Sequence, residues 1–258
     1  MSEAPGRSRA AVPADIYDPA FVKGVFDRCS ARYIGFSYIC SLGFTERWRA
    51  QCVAALPDLP EHALGYDLMA GTGEAWPHLL KRFPNVETIT AVDISTGMHR
   101  LAMARPHKER QGRISFIEDD VLASNLTEAS ADFVISTFGL KTFNADQQSA
   151  LARLVARVLK PGGGFSFVEA SDPRGWAFRP LYLFHLKSLL PLIERTFLRG
   201  AQDFAMIGTY CTNFRDCSGF AEALRQQGLD VRERSYFYGC ASGVSGRKSV
   251  GAASASRA

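Results

Sequence analysis

The 258-residue sequence predicts an α/β fold: a doubly wound parallel sheet with helices on both faces. Three observations predict it. Short β-branched runs alternate with longer segments of helical period, and one apolar run leads directly into a glycine-rich turn. The hydrophobic fraction of 47% is enough for one large core.

In chain order, residues 1–17 read as a disordered leader, in which Pro, Ser, Arg and Ala replace the continuous apolar stretch of a signal peptide. A cytoplasmic protein is expected. Residues 18–248 read as a single domain, opening with an N-terminal cap of two helices within 18–56. Strands are expected at Gly65 to Met69, Thr88 to Asp93, Ile114 to Glu118, Phe133 to Thr137 and Phe165 to Ala170. Asp230 to Ser235 and Tyr236 to Gly243 follow as a closing pair, for seven strands in all. Helices are expected at Glu74 to Arg82, Thr96 to Ala104, Ala145 to Leu159 and Cys217 to Gln227. The third stops at Lys160-Pro161-Gly162-Gly163. Residues 177–216 interrupt the alternation with a long apolar helix, Pro180 to Leu198, read as a helical lid. The Ala-, Ser- and Gly-rich 249–258 read as a disordered tail.

Charge and cysteine usage narrow the function. The formal net charge of +4 is spread thinly, with no basic run interleaved with aromatics, so no nucleic-acid partner is expected. Cys29, Cys40, Cys52, Cys211, Cys217 and Cys240 form no CxxC pair and have no His at zinc-ligand spacing, so reduced, mostly buried thiols and no metal site are expected. The helix Pro180 to Leu198 is interrupted by His185, Lys187, Pro191 and Glu194, too often to span a bilayer. At most, it makes peripheral membrane contact or roofs a pocket.

Three signals, each at the end of its own strand, outline a cofactor site. In Tyr66-Asp67-Leu68-Met69-Ala70-Gly71-Thr72-Gly73, Gly71 and Gly73 let the backbone turn tightly beside a ligand, although a G-x-G turn also closes many ordinary βα loops. Asp93 closes the next strand, where an acid accepts from both ribose hydroxyls of an adenosine. Trp76 stands where a third glycine would complete a dinucleotide fingerprint, so adenosine without pyrophosphate fits better. After the third strand, an acid of Asp119-Asp120-Val121 can accept from an adenine amino group while Val121 packs on the ring; a lone Asp there more often starts a loop.

With Asp67-Leu68-Met69-Ala70-Gly71-Thr72-Gly73, Val92-Asp93, Asp120-Val121 and Leu159-Lys160-Pro161-Gly162-Gly163, the chain resembles class I methyltransferases with a Rossmann-like fold. Val25-Phe26-Asp27-Arg28 with Tyr33, Gly43 to Arg49 with Trp48, Thr137-Phe138-Gly139-Leu140, Val168-Glu169, Arg179 to Tyr182 and Leu190 to Ile193 resemble the ubiquinone and menaquinone C-methyltransferases in particular, over roughly residues 22–248. The resemblance implies S-adenosylmethionine as cofactor, with contacts at Asp67, Gly71, Thr72, Gly73, Asp93, Asp120, Val121 and Thr137.

It also implies a small-molecule acceptor, a quinone-like or other aromatic biosynthetic intermediate. On the acceptor side the sequence departs from the family. The Arg and Asn that follow Phe-Gly-Leu there are Lys141 and Thr142 here, the Asp after the early Tyr is Ile34, and a later Tyr and Ser are Met206 and Tyr210. Methylation of nitrogen or oxygen in another metabolite, cyclisation of the cofactor's aminobutyrate chain, and a non-catalytic binding role stay open, as does a homodimer. Lys141 is either an electrostatic stabiliser of a phenolate or a solvated charge at a helix entrance. His185 is either a general base or a packed histidine. Tyr33 and Tyr210 either close over the sulfonium or simply pack the lid.

Overall fold

A computed structural model describes residues 15–30, 41, 43–105, 112–192 and 205–250. Tyr33, Ile34, Cys40, most of the expected leader and tail, and the last six residues of the expected lid helix lie outside these residues. The first helix, α1 (Pro19–Cys29), starts where Asp18 accepts from the Phe21 amide at 2.9 Å and Pro19 occupies the first turn. Val22, Val25 and Cys29 form its buried stripe. The second, α2 (Phe44–Ala55), buries Trp48, Arg49, Cys52 and Val53.

Next come β1 (Leu64–Leu68), α3 (Trp76–Arg82), β2 (Thr88–Asp93), α4 (Thr96–Ala104), β3 (Ile114–Glu118), β4 (Ala131–Thr137), α5 (Ala145–Val158) and β5 (Leu159–Ala170). A short helix α6 (Arg179–Phe184) continues as a π-helical turn, His185–Leu189. The chain closes with α7 (Ala205–Phe214), α8 (Ser218–Gln226), β6 (Leu229–Tyr236) and β7 (Ala241–Lys248). The seven strands are ordered β3-β2-β1-β4-β5-β7-β6, parallel except that β7 runs antiparallel to both its neighbours. The sheet is therefore the expected seven-stranded, doubly wound one, and its strand order reverses between β1 and β4.

The central strands β4 and β5 are buried on both sides, as a sheet covered on both faces requires. Val134, Phe165 and Phe167 pack under Leu151, Val155, Phe220 and Leu224 of α5 and α8. Ile89, Phe133 and Ile135 pack against Trp48, Trp76 and Leu79 of α2 and α3. A third cluster joins Val25 and Cys29 of α1 to Leu186, Leu190 and Cys211, placing the π-helical turn and α7 against α1. The described cysteines, Cys29, Cys52, Cys211, Cys217 and Cys240, are buried. Burial pushes the Cys52 and Cys211 thiols up to about 12. Among the described residues no helix is long and apolar enough to cross a membrane.

Three boundaries differ from expectation. The aromatic run Tyr236-Phe237-Tyr238 has strand composition, yet Phe237 and Tyr238 take φ of 43° and 56° and turn the chain. The last strand is Ala241–Lys248 instead of Tyr236 to Gly243. Its small residues suit it to this place: a Cβ on Gly246 would lie on the Asp230 carbonyl, and one on Gly243 would come within 2.8 Å of the Phe167 carbonyl. β5 begins already at Leu159, where a bulge places residues 160–163 between the partners of Ala131 and Phe133. Finally, α3 starts at Trp76, because Gly73 at φ 72° still belongs to the turn.

The contact that fixes α1 bears on function. Asp27 accepts from the Ser95 hydroxyl at 2.6 Å and from the Gly97 amide at 2.9 Å, tying α1 to the start of α4 directly after Asp93. Burial pushes the Asp27 carboxyl up, but hydrogen bonds from Ser95, Gly97 and Lys23 outweigh it and hold the pKa below its ordinary value. Asp27→Ala is expected to lower unfolding stability by about 1 to 2 kcal/mol in urea titrations at pH 7. A depressed carboxylate pKa stabilises above its unfolded value, so this difference shrinks as pH falls below about 4.

Candidate cofactor and acceptor site

Ligands of open α/β sheets sit beyond the carboxyl ends of the strands where the order reverses. There the protein has a groove with about 850 Å³ of space between its atoms, lined by Gly71 and Thr72 after β1, Asp93 ending β2, Asp120 and Val121 after β3, and Thr137 ending β4. The structure thus brings six of the eight expected cofactor residues together. Asp67 and Gly73 are absent from this lining and act beneath it.

The two glycines do different work. Gly71 has φ 56°, and a Cβ there would meet no protein atom within 4 Å, because it faces open groove. At Gly73 a Cβ would stand 2.2 Å from the Trp76 ring. Trp76 packs into the space that Gly73 leaves and donates its indole N–H to Asp67 Oδ2 at 2.7 Å. The residue that occupies the third-glycine position therefore anchors the acid of β1.

Several polar groups at this turn have unused bonding capacity. Asp67 Oδ1 and Thr72 Oγ1 are buried without a hydrogen-bond partner, as is Arg49 Nε, whose guanidinium borders the groove. Burial pushes the Asp67 carboxyl up to about 7; the Trp76 bond opposes this and the nearby Asp93 charge adds to it. Burial also raises Asp93, whose two oxygens accept from the Gly71 and Ser95 amides at 2.8 Å each. Those bonds fix the carboxylate and leave lone pairs for vicinal hydroxyls. Glu74, raised by burial against the opposing charge of Arg49, pairs with it on the groove wall. An amino acid zwitterion on an adenosine fits this donor and acceptor set. Arg49 and Glu74 were not singled out from the sequence; the stretch Gly43 to Arg49 was the only signal.

On the other side of Phe138 lies a larger cavity with about 1720 Å³ of space, walled by aromatic and aliphatic side chains from α1, α2, α6 and the turn after β6. The groove and the cavity share Phe26, Phe138 and Thr142. Lys141, His185 and Tyr210 line the cavity. Lys141 is not a solvated charge. It is buried, and its ammonium donates to Glu169 Oε1 at 2.9 Å and to the Phe138 carbonyl at 2.5 Å, while its amide donates to Glu169 Oε2. His185 is half-buried at the start of the π-helical turn. Tyr210 is buried and donates to the Ile16 carbonyl at 2.6 Å, with its ring 5.9 Å from that of Tyr17 on the groove rim. No group of ligating side chains suited to a metal occurs among the described residues.

Comparison with known proteins agrees with this geometry. The ubiE/COQ5 methyltransferase family model matches residues 15–248. A demethylmenaquinone methyltransferase of Lactococcus lactis is 24% identical over 208 residues, 81% of each chain. A ubiquinone/menaquinone biosynthesis C-methyltransferase UbiE of Rubrivivax gelatinosus is 28% identical over 85% of this chain and 84% of its own. Human N-acetylserotonin methyltransferase in complex with S-adenosylmethionine superposes with a TM-score of 0.59 at 20% identity, over 92% of this chain and 60% of its own.

Two predictions test the turn. Gly71→Val is expected to abolish cofactor binding in calorimetry while the protein still unfolds cooperatively, whereas Gly73→Ala lowers stability by roughly 2 kcal/mol or more through its clash with Trp76. For Asp67, a folded pKa raised above its unfolded value stabilises below about pH 4, and that stabilisation is lost as pH rises toward 7. The ligand-free protein should therefore lose on the order of 2 to 4 kcal/mol between pH 4 and pH 7.5, a slope that Asp67→Asn removes.

Proposed function

The chain belongs to the ubiE/COQ5 methyltransferase family and is an S-adenosylmethionine-dependent methyltransferase, and from that premise we propose that it methylates a ring carbon of a quinone-like, hydroxylated aromatic acceptor. The observation that carries this reading is the wall shared by the two spaces. A polar groove suited to adenosine and an amino acid opens at Phe26, Phe138 and Thr142 onto an apolar, aromatic-lined cavity. A planar ring is stacked and desolvated by such walls.

When bound, S-adenosylmethionine supplies an electrophilic methyl group on a sulfonium. Asp93 would hold the ribose hydroxyls, with Asp120 and Val121 at the adenine. Asp67, Thr72, Arg49 and Glu74 would hold the amino acid end. On the acceptor side, the requirement is orientation plus loss of the phenol proton, since a phenolate is a far better carbon nucleophile. Lys141 would favour the phenolate by its positive charge, which Glu169 and the Phe138 carbonyl hold in place in a low-dielectric wall. Phe44 and Trp48, tilted against each other with ring centres 5.6 Å apart, would flank the ring. Tyr210, tethered to Ile16, would close the space where groove and cavity meet.

The reaction is tested with methyl-labelled cofactor and a reduced demethylnaphthoquinone as acceptor. Label on a ring carbon of the product is expected. Label on oxygen or nitrogen, or cofactor consumption without an acceptor, overturns the reading.

The role of Lys141 needs a variant that leaves Glu169 without an unpaired charge. Lys141→Met alone is expected to destabilise the protein by about 3 to 5 kcal/mol by orphaning a buried carboxylate. Lys141→Met/Glu169→Gln should recover much of that. If Lys141 stabilises the phenolate, the folded double variant turns over at least tenfold more slowly at saturating cofactor, with the cofactor dissociation constant unchanged within about twofold. Turnover near that of the unsubstituted protein would make the pair purely structural.

A further inference from the structure

The surface around the cavity mouth is apolar beyond what a helix covering a sheet requires. Helices on a sheet bury one stripe and solvate the other. The segment from α6 through the π-helical turn is apolar on both sides. Leu186 and Leu190 face the core, while Phe178, Leu181, Phe184 and Leu189 point outward, Leu181 with 64% of its surface exposed. The turn after β6 extends the patch with Phe237 and with Tyr238, which is 71% exposed. Trp176 joins the two segments, stacked flat on Tyr238 at 5.5 Å and edge-on to Phe237 at 5.8 Å.

Apart from the buried Asp172, the charges of this segment are positive. From Pro173 to Leu192 the sequence contains no Asp or Glu, in a chain with 26 of them against 30 Lys and Arg. It contains Arg174, Arg179 and Lys187. Asp172 pairs with both arginines, leaving a net positive rim. Two copies meeting through this face would oppose like charges. Anionic headgroups above hydrocarbon match both features: rim cations in the headgroup layer, Trp and Tyr at the boundary, Phe and Leu below.

We propose that this face, Trp176 to Leu189 together with Phe237 and Tyr238, docks on an anionic lipid bilayer, so that the acceptor cavity opens toward the membrane rather than toward water. Phe178, Leu181, Phe184 and Leu189 belong to both the outer patch and the cavity wall, which makes the mouth continuous with the docked surface. Docking does not depend on the identity of the acceptor and stands or falls separately from the methylation reaction.

The test is sedimentation of the full chain with vesicles of phosphatidylcholine alone or mixed with phosphatidylglycerol. Binding is expected on the anionic vesicles and should weaken with added salt. Tyr238→Ser combined with Leu181→Ser should reduce partitioning at least tenfold. Lys187→Gln should reduce it about fivefold on anionic vesicles and hardly at all on neutral ones. In the unsubstituted protein, brominated lipid should quench fluorescence in a manner lost in Trp176→Phe; this readout needs no destabilising change. Absence of binding to both vesicle types overturns the proposal. So does a dimer seen by light scattering that Tyr238→Ser dissolves, which would assign the face to a second copy of the chain.

Discussion

Phe138 sits in the left-handed region at φ 68°, at the end of the central strand β4, and both halves of the site depend on its being held there. A bulky residue in that conformation costs on the order of 1 to 3 kcal/mol and persists only when its surroundings over-determine it. Here they do. Its amide donates to the Val168 carbonyl at 2.9 Å, its carbonyl accepts from Lys141, and Arg49 lies 5.1 Å from the centre of its ring. Met69, opposite it at the end of β1, is also left-handed at φ 53°, and a Cβ on Gly139 would come within 2.4 Å of the Met69 Cβ. The two strand ends at the switch point are thus pressed together, and the ring of Phe138 becomes the partition between groove and cavity.

The charges on either side of that partition follow two different rules. In the groove and just beneath it, Asp93, Glu74 and Asp67 are carboxyls raised by burial, with bonding capacity left over for a ligand that brings cationic and hydroxyl donors. They make the ligand-free protein less stable than it need be, a common arrangement where function outweighs stability. In the cavity, the principal ion pair is closed on itself. Glu169 is fully buried, and the Lys141 ammonium and amide and the Ala170 amide all donate to it. A self-satisfied pair in an apolar wall gives the cavity a fixed local dipole without an unpaired charge.

The residues with the clearest local signals were legible from sequence. β2, β3 and α4 run between the residues expected, because their apolar runs are bounded by a cap or a turn-forming acid, as where Ser95 accepts from the Met98 amide at the start of α4. The acids at the ends of β2 and β3 lie in the groove as their spacing implied. What misled was composition without context. Phe237 and Tyr238 read as strand because they are aromatic, whereas the Ser and Gly of β7 carry little strand signal although the Phe167 and Asp230 carbonyls close on Gly243 and Gly246. The roles of Arg49 and Trp76 are not legible along the chain because they depend on Glu74 and Asp67, partners set by how helices pack on strands.

The sequence by itself determined the seven-stranded α/β fold, the family, the cofactor and six of the residues that line the groove. These follow from periodicities and turns whose causes are local to a few residues, or from motifs whose order survives at low identity. Only the tertiary structure decided that Gly73 makes room for Trp76 while Gly71 faces open groove. It alone buried Lys141 against a carboxylate 28 residues away and set the aromatic cavity behind Phe138. The physical reason is that burial, orphaned polar atoms and charge pairing are properties of side chains brought together from different strands and helices, and no window along the chain contains them.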